Sequence, residues 1–79
     1  MAVQQTIELR CSKNNDGKYN ARTFVNGKEL KVKEFSVNRG DQFSLVLVYH
    51  QIKKRYPADS VQIKGLDKNA EQNILHSEL

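Results

Sequence analysis

Cys11, His50 and His76 are the only residues in this 79-residue chain that could pair a nucleophile with a base. A thiol becomes a working nucleophile near neutral pH only with such a base or a strong positive field beside it. Cys11 closes the alternating stretch VQQTIELRC on its inward parity, where a cysteine acts as a small hydrophobe. One cysteine and two histidines also fall short of a closed zinc site, which would need carboxylates from unrelated places. Those carboxylates are scattered. Asp16, Asp41, Asp59, Asp67 and the glutamates stand in turns, caps and polar strand faces. Neither Asn26-Gly27-Lys28 nor Arg39-Gly40-Asp41 matches a phosphate-binding fingerprint. No catalytic residue, metal site or cofactor is expected, and the chain reads as a non-enzyme without a small-molecule substrate.

What remains is the chemistry of binding. Lysine and arginine total 13 against 9 acids, giving a net charge of +4 and a pI near 9.4. Such a balance favours an acidic protein surface or a polyanion. Two groups of residues could use it. Phe43, Val46 and Leu47, with His50, Lys53 and Lys54, would combine an apolar interface centre with cations that steer an acidic partner. Lys18, Arg22 and Phe24, joined by Lys31 and Lys33, would form a basic sheet face with one aromatic for stacking a base.

The elements that must position these groups follow from periodicity. Residues 3–11 alternate, with Val3, Gln5, Ile7, Leu9 and Cys11 on one face, which predicts a half-buried strand. Asn14-Asn15-Asp16-Gly17 supplies a turn, and a second strand follows over 18–25. Asn26-Gly27 suits a type I′ hairpin into a third strand over 28–36. There Leu30 and Val32 share one parity and Phe35 and Val37 the other. Either a bulge near Lys33-Glu34 resets the register or the strand ends there.

Residues 39–56 are expected to form a helix capped by Asn38, with Asp41 in the first turn and Lys53, Lys54 and Arg55 in the last, stopped by Pro57. Its middle, Leu45-Val46-Leu47-Val48-Tyr49, would suit a strand equally well, and in that version the protein is all-β. As a helix it carries Leu45, Val48, Tyr49, Ile52 and Tyr56 on a stripe facing the sheet. Phe43, Val46 and Leu47 then form a second stripe that one small sheet cannot cover. The C-terminal segment, a second copy or another protein would have to cover it. A short strand over 60–64 follows, and residues 66–79 read as a loose tail or a short helix capped by Asp67.

A chain this short makes one domain of modest core, so stability gained from a partner or from a homodimer is a reasonable expectation. No stretch approaches the roughly 18 apolar residues of a membrane span. MAVQQTIEL lacks the basic head and apolar core of a signal peptide. A cytoplasmic setting without a membrane partner is expected.

The strand-strand-strand-helix-strand order is similar to the first half of the ribonuclease H fold. That family places acids on its first strand, in its helix and at the end of the next strand. The matching places here hold Arg10 or Cys11, Gln42 or Ser44, and Lys64 or Gly65, so the resemblance does not extend to two-metal chemistry. The same layout in under 80 residues resembles small phage-encoded inhibitors of the anti-CRISPR kind, which implies action by protein contact. HQIKKRYPADSVQIK and DKNAEQNILHSEL resemble the helix, exit strand and next helix of the DinI family of RecA modulators, a likeness that covers residues 48–78. That family's acidic C-terminal helix is not matched here.

The sequence therefore predicts an α+β fold of β-β-β-α-β order. A sheet of three or four strands carries one main helix on one face, in a single domain spanning 1–79. The expected function is a non-enzymatic protein-binding module of inhibitor or adaptor type. A small nucleic-acid-binding protein using the basic sheet face is the alternative.

Overall fold

A computed structural model describes residues 5–78; Val3, at the start of the predicted first strand, lies outside the described residues. Strict alternation makes the first two strands. β1 (Ile7–Lys13) and β2 (Tyr19–Val25) pair antiparallel, from Ile7 opposite Val25 to Lys13 opposite Tyr19. Their turn closes when Gly17, at φ 83°, donates its N–H to the Asn14 carbonyl at 3.0 Å. Asn26 and Gly27, at φ 53° and 82°, form the expected tight hairpin into β3 (Lys28–Glu29), with Val25 opposite Lys28.

The predicted third strand over 28–36 is broken. β3 ends at Glu29, and a 3₁₀ turn at Lys33–Phe35 swings Phe35 into the core. β4 (Ser36–Gly40) then resumes pairing on the other half of β2. The parity change between Val32 and Phe35 is thus resolved by a turn that re-aims the chain. β4 also carries one extra residue. Val37 faces Ala21 and Gly40 faces Tyr19, and Arg39 takes up the excess at φ 51°.

The main helix, α1 (Gln42–Arg55), starts later than the sequence implied. Asn38 is not its cap, because β4 runs on through Gly40 and the Asn38 side chain accepts from Arg22 at 2.8 Å. Asp41 caps instead, accepting the Ser44 N–H at 3.0 Å, and that bond holds its carboxyl below the usual range. Lys53, Lys54 and Arg55 occupy the last turn, and the Tyr56 N–H closes it on the Ile52 carbonyl at 2.8 Å. These end signals outweigh the strand-like middle, and residues 43–52 are helical throughout.

β5 (Val61–Lys64) lies parallel beside β1, with Leu9 opposite Ile63. The sheet is therefore mixed, in the order β3-β2-β1-β5, with β4 sharing the β2 edge. α1 carries the chain from one edge across the sheet to the other. α2 (Lys68–Leu75) follows, capped by Asp67 through the Ala70 N–H at 2.7 Å.

Leu45, Val48 and Ile52 of α1 and Ile74 of α2 close over Ile7, Leu9, Cys11, Ala21, Val37 and Ile63. Burial of this apolar surface is the main force holding the fold. Thr23 is the only fully buried polar residue among those described, and its hydroxyl donates to the Phe35 carbonyl at 2.7 Å. The molecule is α+β, with one helical layer on one face of the sheet and the other face open.

Candidate functional site

Of the second helical stripe, Phe43 and Leu47 stay outside. Their side chains stand one turn apart, 59% and 43% exposed, whereas Val46 is half-buried against the core. α2 packs beside α1, with Ile74 in the shared core. His50, one turn beyond Val46, meets Ser77 at 3.0 Å, just past the end of α2. Lys53 is also occupied, its ammonium donating to the Asp59 carbonyl at 2.6 Å across the helix exit. The accessible part of the predicted surface is thus Phe43, Leu47 and Lys54, with His50 at its margin.

Beside this face runs a trough between α1 and β4. Lys33, Ser36, Val37, Leu47, Val48 and Gln51 are among the residues lining a depression of about 360 Å³. A second depression of about 240 Å³, with Phe35, Lys54 and Arg55, continues it and shares Glu34 and Gln51. Gly40 keeps the upper end narrow, because a Cβ there would press on Val37 and Ser44. Sequence reasoning missed this trough. It depends on the 3₁₀ turn that brings Lys33 and Glu34 beside the helix, and no local pattern announces that turn.

The predicted basic sheet face does not assemble as expected. Arg22 and Phe24 do lie on the open face, but Lys18 sits in the first turn and Lys31 on the chain leaving β3. Lys33 belongs to the trough on the helix side. In their place, strand register aligns Lys64, Arg10 and Arg22 across β5, β1 and β2. Arg10 lies over the Phe24 ring, 3.9 Å from its centre, and also binds Glu8 at 2.9 Å. Lys64 reaches the same carboxylate at 2.6 Å. The two cations hold the Glu8 carboxyl below its usual range. Arg22 turns away from Arg10 to donate to the Val37 carbonyl and Asn38.

No chemical centre forms from the remaining candidates. Cys11 is buried, and loss of water pushes its thiol up to about 11. His76 binds Gln72 at 2.9 Å, one turn back on α2. Among the described residues, no group of histidines, cysteines and acids converges as a metal would require, and no helix is long and apolar enough to cross a membrane. Comparison with known proteins finds no matching family model, no matching curated protein and no matching solved structure. The surface itself must carry the functional argument.

Proposed function

We propose that this domain is a non-enzymatic protein-binding module, of inhibitor or adaptor type, that engages its partner through the outer face of α1. The observation that carries the reading is the exposure of Phe43 and Leu47 side by side on a rigid helix. Val32 is the only other large apolar side chain so exposed among the described residues. A single exposed apolar residue needs no explanation, but an aromatic and a leucine one turn apart make the seed of an interface core. Lys54 on the same face adds the charge that would favour an acidic partner.

Nucleic-acid binding through the open sheet face is less well supported. The ring that would stack a base already carries Arg10, and two of the three aligned cations share Glu8.

Photo-crosslinkers placed at positions 43 and 24, followed by irradiation in an extract of the source cells, test the reading. A discrete protein adduct from position 43 and none from position 24 is expected. Oligonucleotides should show no micromolar binding at low salt. Binding with a steep salt slope that is lost on Arg10→Ala would instead establish the sheet-face alternative.

A further inference from the structure

The trough beside α1 names a kind of partner. We propose that it takes an extended, acidic segment of a partner protein, added as a strand along β4. This inference rests on the reading that the domain binds protein on this side of α1.

Three observations converge on that occupant. β4 pairs with β2 on one side, and among the described residues no strand pairs with its other side. Such an edge presents backbone groups that another extended chain can satisfy. The Ser36 N–H is taken by the Lys33 carbonyl and the Arg39 N–H is directed to the Asn20 side chain on β2, so an added strand would have to pair around Asn38. The apolar wall of Val37, Leu47 and Val48 stands beside that point and would receive one side chain of an added strand. Alternation would point that residue's two neighbours elsewhere.

Charge selects the chemistry of the segment. Lys33, Lys54 and Arg55 line the trough, and none of them forms an ion pair among the described residues. Among the described residues, Glu34 is the only acid lining it. The same cations argue against a second copy as occupant, since pairing two β4 edges would bring two positive troughs together in a protein of net charge +4.

The test uses the full chain and three fluorescent peptides of about six residues, a typical strand length. One alternates glutamate and valine, one alternates lysine and valine, and one is the acidic peptide N-methylated at every second residue. Fluorescence anisotropy should show the acidic peptide binding at least about tenfold tighter than the lysine peptide, a difference of about 1.4 kcal/mol. N-methylation should abolish binding. Leu47→Gln should weaken binding about tenfold, and Asn73→Ala, exposed on α2 and not among the residues lining the trough, should leave it unchanged. Amide shifts in NMR should centre on Asn38 and α1.

Equal binding of the two charged peptides, no binding, or shifts confined to the open sheet face would overturn the proposal. So would a concentration-dependent dimer, seen by sedimentation, that excludes the acidic peptide. If these arms fail while the cross-link from position 43 persists, the trough assignment falls and the protein-binding reading stands. If the cross-link is also absent, both fall.

Discussion

His50 donates a hydrogen bond from Nε2 to the hydroxyl of Ser77, 3.0 Å away. The direction follows from chemistry, because Ser77 spends its single proton on the Ile74 carbonyl at 2.6 Å. Its oxygen can then only accept, so the imidazole must carry a proton on Nε2. This bond ties the middle of α1 to the C-terminal end of α2.

His50→Ala should therefore loosen α2 selectively. A loss of about 1 kcal/mol in urea denaturation is expected, the worth of one ordinary hydrogen bond. Native-state hydrogen exchange should quicken over residues 68–75 while β1 and β2 keep their protection. Nitrogen-15 spectra of the wild-type histidine should report the Nε2–H tautomer.

Thr23→Val keeps the shape of the side chain but strands the Phe35 carbonyl at the heart of the sheet. A loss of about 1–3 kcal/mol is expected from that unsatisfied acceptor. Thr23→Ser, which keeps the hydroxyl, should cost less. The urea midpoints of the two variants, compared at equal m-value, check the ordering.

Gly65 and Gly17 share a left-handed backbone but differ in surroundings. At Gly65, φ 88°, a Cβ would run into the Cys11 carbonyl oxygen; at Gly17, φ 83°, it would meet nothing. Gly17→Ala should cost only the backbone preference, about 1 kcal/mol. Gly65→Ala should cost about 2–3 kcal/mol, because the exit from β5 must also move away from β1. Thermal or urea melts of both variants separate the two terms.

Acid should destabilise the domain through three carboxylates. Glu8 is held low by Lys64 and Arg10, Asp16 by the Lys18 N–H and Arg39, and Asp41 by Ser44. A depressed folded pKa contributes stability that is fully present above the unfolded value and lost as pH falls through the folded one. Stability should thus be level above about pH 5 and decline below the ordinary values of 4.5 for glutamate and 3.8 for aspartate. Glu8→Gln should flatten the upper part of that decline. Added salt should shrink the Glu8 and Asp16 contributions, because the cations of those pairs, Arg10, Lys64 and Arg39, are exposed to water.

Cys11 should be inert in the native state. Its thiol, pushed up to about 11 by burial, is almost wholly protonated at neutral pH and shielded from reagent. Labelling with an aromatic disulfide should follow the rate of unfolding and become immediate in denaturant. The sign of the linkage is opposite to that of the acids. Stability due to the buried neutral thiol is present below the ordinary value of 9.0 and falls as pH rises toward 11.

Features encoded by neighbours in sequence were legible, and features encoded by register were not. Asn26-Gly27 and the Asn14–Gly17 turn announce their hairpins because positive φ is a local demand. Asp67 and the basic last turn of α1 mark helix ends for the same reason. Asn38 misled because it resembles an N-cap, whereas its amide serves Arg22, sixteen residues earlier in the chain. Arg10 and Lys64 went unnoticed as neighbours because only the parallel pairing of β5 with β1 sets them side by side. The exposed pair Phe43 and Leu47 was foreseeable from helical spacing. The withdrawal of Val46 depended on how the core assembles, and that of Lys53 on where the helix exit comes to lie.

The pairing of β5 with β1 also sets a timetable for synthesis. β1 and β2 can zip together as soon as their hairpin leaves the ribosome, since their contacts are local. The other edge of β1 has no mate until Lys64 has emerged. During that interval Ile7 and Leu9 lie on a strand with one bare edge, and until α1 has emerged with no helix above it, the kind of surface on which nascent chains stick to each other. The domain should therefore depend most on chaperone protection while the segment from α1 to β5 is being made. A stalled chain ending before Val61 should aggregate where the full chain does not.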